Sequence, residues 1–195
     1  VVSVETANLP NLPDALGAPR AILCSGFPLE SLQAPQIDAL LAWVRQGGHL
    51  VLTDAPLGIP RPLLERIPPL QGYVSGMLPE ADLEALAKAG GSTFPPHGDV
   101  PCLRGKPRGV PAQATPGIGP AFLQRFPWGF GHVTVLGIDP SIHPFRGWPG
   151  MKAVWTAAFS DVPSSWSEPW PAEKDSWGDR KDPSLVRPGL CKVLR

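Results

Sequence analysis

Residues 20–56, RAILCSGFPLESLQAPQIDALLAWVRQGGHLVLTDAP, leave the chain few folds to choose from. Ala21-Ile22-Leu23-Cys24 is an apolar run ended by Ser25-Gly26, and it reads as a short buried strand. Ile37, Leu40, Leu41 and Val44 then fall at the spacing of one helix face. Pro35 suits the first turn of that helix, where a missing N–H costs nothing, and Gly47-Gly48 supplies a residue able to turn past its end. His49-Leu50-Val51-Leu52-Thr53 is a second buried-type strand, closed by Asp54-Ala55-Pro56. Two strands joined through a helix are expected to lie parallel, with a right-handed crossover. An α/β fold follows.

The remaining composition decides how much chain surrounds that core. Of 195 residues, 27 are proline and 21 glycine, close to the level at which order fails, yet an apolar content of 43% is too high for a disordered chain. The expectation is an ordered core with long, proline-stiffened loops. Seventeen basic residues balance seventeen acidic ones, and no cluster of Lys and Arg interleaves with aromatics. Nucleic acid is therefore excluded as the main partner, because phosphate binding needs a positive footprint. Three cysteines, Cys24, Cys102 and Cys191, are an odd count that rules out full internal pairing, and their wide spacing without a CxxC pair is wrong for a zinc site. No run reaches the roughly 18 apolar residues of a membrane span. The chain starts Val1-Val2, with no signal-peptide pattern, as a processed protein or a piece of a longer one would.

Along the chain, residues 1–5 suggest a first strand and residues 62–67 a short helix between prolines. Residues 79–89 form a better helix, with Pro79 at its start, Glu80 and Asp82 in its first turn, Lys88 in its last, and Gly90-Gly91 beyond. Residues 92–119 are dense in Pro and Gly and read as a surface excursion, with room for a short strand at 100–103. Residues 122–126 and 132–138 make a strand pair across Pro127-Trp128-Gly129-Phe130-Gly131. A last helix at 149–159 carries Met151, Val154, Trp155 and Ala158 on one side. From Asp161 the periodicity stops. The organisation expected is an α/β domain over 1–160, with a Pro/Gly-rich excursion at 72–120, and an irregular Trp/Pro-rich tail over 161–195.

In open parallel sheets, ligands bind beyond the carboxyl ends of the strands. Cys24, Ser25, Thr53, Asp54, Asp139 and His143 lie at or just beyond such ends, and are the candidate ligand-binding residues. Each also has a plain structural reading. Cys24 suits a small buried hydrophobe, Asp54 and Asp139 suit turn formers before proline, and His143 suits a surface position. His49, His97 and His132 show no constellation in the sequence. Phosphate-cradle and nucleophile-elbow motifs are absent, and neither a metal nor a cofactor is expected. The seven tryptophans read mainly as packing residues, with Trp166, Trp170 and Trp177 as anchors by which the tail would dock.

The pattern ILCSG…QIDALLAWVRQGGHLVL, followed by GFGHVTVLGIDPSIHPFRGWPGMKAVW, resembles the class I glutamine amidotransferase-like superfamily. It is most similar to a non-catalytic branch found in bacterial envelope membrane proteins. The resemblance covers residues 1–60 and 128–159. It implies a flavodoxin-like, three-layer α/β sandwich with a mainly parallel central sheet, held outside the cytoplasmic membrane beside transmembrane helices. Catalytic members of the superfamily place a cysteine on the turn after a strand and supply a late His-x-Glu. Here Asp54 stands at the corresponding turn, and His143-Pro144-Phe145 is the nearest offering to the late pair. A thiolate nucleophile needs an adjacent base, so amidotransferase chemistry is not expected.

The expected function is non-enzymatic binding of a protein partner or small ligand, on the extracytoplasmic face of a bacterial membrane if the chain belongs to a membrane protein and in the cytoplasm otherwise. One alternative is a small hydrolase or transferase with a rebuilt site, using Asp54 or Asp139 as base, Ser25 or Cys24 as nucleophile and His143 assisting. A scaffold or oligomerisation module is the other.

Overall fold

The computed structural model describes residues 2–5, 8–17, 19–25, 32–53, 59, 61–95, 97–114, 118–119, 122–160 and 190–194. Its centre is the unit expected from the sequence. Strand β2 (Ala21–Ser25), helix α1 (Ala34–Arg45) and strand β3 (His49–Thr53) follow one another, and β2 and β3 pair in parallel, Ala21 beside His49 and Ser25 beside Thr53. Helix α1 begins with Pro35 in its first turn, and the Gln33 N–H donates to Gln36 Oε1 at 2.9 Å, satisfying one of the open donors there. Its end is set by Gly47, whose φ of +118° a side chain would resist. Ile37, Leu40, Leu41 and Val44 are all buried, as their spacing predicts.

Among the described residues, seven strands make the main sheet, in the order β1-β9-β2-β3-β8-β7-β6. The others are β1 (Val2–Glu5), β6 (Gln113–Ala114), β7 (Leu123–Trp128), β8 (Gly131–Leu136) and β9 (Leu190–Leu194). β3 and β8 pair in parallel, whereas β7 and β9 are antiparallel to their neighbours. By direction, β1, β2, β3, β8 and β6 run one way and β7 and β9 the other, and the parallel pairings are the central ones, β2–β3 and β3–β8.

The alternation of strand side chains divides the core in two. Ile22, Cys24, Leu50, Leu52, Phe126, Val133 and Val135 join Leu40 and Val44 of α1 and Leu63 of α2 (Arg61–Arg66) in one cluster. Leu123, Leu136 and Ile138 join Leu83 and Leu86 of α3 (Glu80–Gly90) and Met151, Val154 and Ala158 of α4 (Met151–Ala158) in the other. Helices thus cover both faces. Of the four apolar positions expected on α4, Met151, Val154 and Ala158 are buried, whereas Trp155 is half-buried and stacks on Phe159.

Two regions differ from the sequence expectation. The excursion holds a second, two-stranded sheet, with β4 (Tyr73–Met77) antiparallel to β5 (Pro101–Gly105) and α3 between them in sequence. It is not all surface, because Val100, Cys102, Leu103 and Ile118 are buried. β4 left no strand signal because only Tyr73 of its five residues is buried. The small sheet is pinned to the large one: the Leu103 N–H donates to Gly137 O at 2.8 Å, Gln124 Nε2 to Gly105 O at 2.6 Å, and the Tyr73 hydroxyl to Gln124 Oε1 at 3.2 Å. The second difference is β9. Residues 190–194 of the expected irregular tail form a strand inside the sheet, between β1 and β2. Trp166, Trp170 and Trp177 lie outside the described residues.

Candidate functional site

Cys24, Ser25 and Thr53 lie at the carboxyl ends of β2 and β3, and Asp139 and His143 follow β8. Register decides what they can do together. Side chains paired across neighbouring strands share a face, and successive residues alternate. Cys24 pairs with Leu52 and Thr53 with Ser25, so Cys24 and Thr53 sit on opposite faces. Cys24 is fully buried in the α1-side cluster. Thr53 is fully buried on the α4 side, and among the described residues its Oγ1 has no hydrogen-bond partner. The backbone of Ser25 closes β2. Asp54 lies outside the described residues.

Beyond β8, Asp139 is 6% exposed. Its Oδ1 accepts the Ser141 N–H at 2.8 Å and the Ser141 hydroxyl at 2.6 Å, which is the geometry of a side-chain-closed turn. His143, four residues on, is exposed. The structure therefore brings Asp139 and Ser141 together, and it separates Cys24 from Thr53 by the thickness of the sheet.

A different polar group gathers at the opposite end of the strands. His49, the first residue of β3, and His132, the second of β8, are register partners, with ring centroids 4.0 Å apart. His49 Nε2 lies 2.9 Å from Thr134 Oγ1, and Arg125 Nε donates to the same hydroxyl at 3.2 Å. Arg125 Nη2 donates to Ala158 O at 2.9 Å, placing a cation at the carbonyl end of α4, where the helix dipole favours it. Phe159 closes the group, 5.8 Å from the His49 ring. The sequence carries a signal for this cluster in the strands and not in the spacing of the histidines. GGHLVL and GFGHVTVL share a glycine–histidine start and an apolar run, as neighbouring parallel strands in register would. The hairpin that starts β8 is seated tightly. A Cβ on Gly131 would run into the carbonyl oxygens of Val44 and Gly48, and the Phe130 N–H donates to Arg45 O at 2.9 Å.

Among the described residues, no group of three or more His, Cys, Asp or Glu is placed to hold a metal ion. No described helix is long and apolar enough to cross a membrane. The two cysteines with described side chains differ in setting. Cys102, buried in the α4-side cluster, has its thiol pushed above the ordinary range, first by burial, with Arg104 opposing the rise and Asp82 adding to it.

No family model and no curated protein matches the chain. Among solved structures, it is similar to a cytoplasmic protein of Salmonella typhimurium, with a TM-score of 0.52 at 12% identity over 80% of this chain and 77% of that one. An exo-β-1,4-mannosidase of an Opitutaceae bacterium gives a TM-score of 0.34 at 18% identity, over 65% of this chain and 23% of that one. The first of these is a likeness of fold.

Proposed function

We propose that this chain is a non-enzymatic binding domain, built on the flavodoxin-like sandwich of the class I amidotransferase-like superfamily and forming the soluble part of a bacterial envelope membrane protein. The observation that carries the non-enzymatic reading is the full burial of Cys24 inside the apolar cluster under α1. A nucleophile must be met by its base within about 3 Å and by its substrate, and the thiol is enclosed by side chains such as Ile22, Leu40, Val44 and Leu52. Asp139 adds support, because its carboxylate already closes a turn with Ser141. The contact surface for a ligand or protein partner is the carboxyl end of β2, β3 and β8. The envelope reading is supported by the resemblance of residues 1–60 and 128–159.

A glutamine-like alkylating agent, 6-diazo-5-oxo-L-norleucine, tests the first part. Incubation with the folded chain is expected to leave its intact mass unchanged and L-glutamine unhydrolysed; an adduct on Cys24 would overturn the reading. For the second part, the protein in its native cells is expected in a membrane pellet that withstands high salt. Recovery in the soluble fraction sinks the envelope placement and leaves the binding reading standing.

A further inference from the structure

We propose that Cys24 and Cys191 form a cross-strand disulfide that fastens β9 into the sheet. The β2–β9 register sets Cys191 directly opposite Cys24. Opposed residues of antiparallel strands share a face, with Cα atoms about 4.5 or 5.5 Å apart according to whether the pair is hydrogen-bonded. Both separations lie within the roughly 4.4–6.8 Å that a disulfide spans without moving the backbone. The adjoining register pairs, Leu23 with Lys192 and Ser25 with Leu190, place no other cysteine in reach. Cys102 belongs to β5, in the other sheet, and packs in the cluster on the α4 side. Three cysteines allow three pairings, and the topology opposes one of them.

The oxidant is a small-molecule disulfide such as oxidised glutathione. One protein thiol, as its thiolate, attacks a glutathione sulfur; the oxidant's S–S bond breaks and one glutathione leaves as a thiol, taking up a proton. The other protein thiolate attacks the protein-side sulfur of the mixed disulfide, forming the Cys24–Cys191 bond and releasing the second glutathione. The protein gives up two electrons and two protons, and glutathione disulfide gains both. Cys24 is fully buried, so the exchange belongs to folding or to a state in which β9 has left β2.

The test uses the full chain, refolded in a glutathione redox buffer, then unfolded and alkylated with iodoacetamide. One carbamidomethyl group is expected, on Cys102, together with a proteolytic peptide pair that joins Cys24 to Cys191 and separates on reduction. Three carbamidomethyl groups, or a linkage through Cys102, overturns the proposal. The oxidised chain is expected to melt on the order of 10 °C above the reduced one. C102A should keep that difference and C191S should lose it. Equal melting of the oxidised and reduced wild-type chains overturns the fastening role. Should C191S fail to fold, the alkylation pattern of the wild type and of C102A decides the matter.

Discussion

Under α1, the central strands present Ile22, Cys24, Leu50, Leu52, Val133, Val135 and Phe126, a surface closed by apolar packing. Under α4, the same strands present His49, His132, Thr134, Arg125 and Thr53, interrupted by Val51, Leu23 and Leu136. One buried polar side chain on the α1 side, Gln124, has both ends occupied, by Tyr73 and by Gly105. On the α4 side, the Thr134 hydroxyl serves both Arg125 and His49. The α1 face therefore depends on shape. The α4 face depends on a shared hydroxyl, and a small chemical change there is felt by several groups at once.

Four experiments would break or sharpen this contrast. Phe126→Ala, which empties a fully buried ring position on the α1 side, is expected to cost about 3–5 kcal/mol in denaturant unfolding. A cost below about 1 kcal/mol would mean that this face is not packed as described. Thr134→Val keeps volume but removes the hydroxyl shared by Arg125 and His49, and is expected to cost about 1–3 kcal/mol. If Thr134→Val were as stable as wild type, the polar cluster would not hold the α4 face together.

Raised pH provides the third experiment. Burial lifts both the Tyr73 phenol and the Cys102 thiol above their ordinary values, 10.0 and 9.0. Below those values both groups are neutral, folded or unfolded, and their contribution is fully present. As pH climbs past them the unfolded chain ionises first, so folding stability falls. The melting temperature is expected to drop from about pH 9 upward, and Y73F combined with C102A should flatten that decline; an unchanged slope in the double variant would place its origin elsewhere. The smallest effect is expected from Thr53→Val. Because no described group bonds the Thr53 hydroxyl, the substitution should change stability by less than about 0.5 kcal/mol or raise it. A loss above about 1 kcal/mol would reveal a polar partner at the carboxyl end of β3, and with it a reason to look there for a ligand.

What could be read from the sequence followed periodicity. α1, β3, β8 and most of α4 announce themselves through apolar spacing, and Pro35 and Gly47 mark the limits of α1. β4 was illegible because Val74, Ser75 and Met77 face solvent and leave no alternation. β9 was illegible because LCKVL follows a long stretch rich in proline and charge, and its partners lie at the other end of the chain. For the candidate site, strand ends were legible while sidedness was not. Cys24 and Thr53 come within one residue of being register partners, and that single residue puts them on different faces. The His49–His132 pair required knowing that β3 and β8 are neighbours, which no local pattern states.

The place of β9 has a consequence for how the molecule is assembled. Among the described residues, β1 has one strand neighbour, and it is β9. β9 in turn pairs with β2, roughly 165 residues earlier in the chain, a contact whose loop-closure entropy makes folding slow. The pairings from β2 through β3 and β8 to β7 need nothing from β9, so that part of the sheet can form before the other side closes. Until residues 190–194 dock, β1 has none of the described strands to pair with, and any event that frees β9 parts both strands from the rest of the sheet.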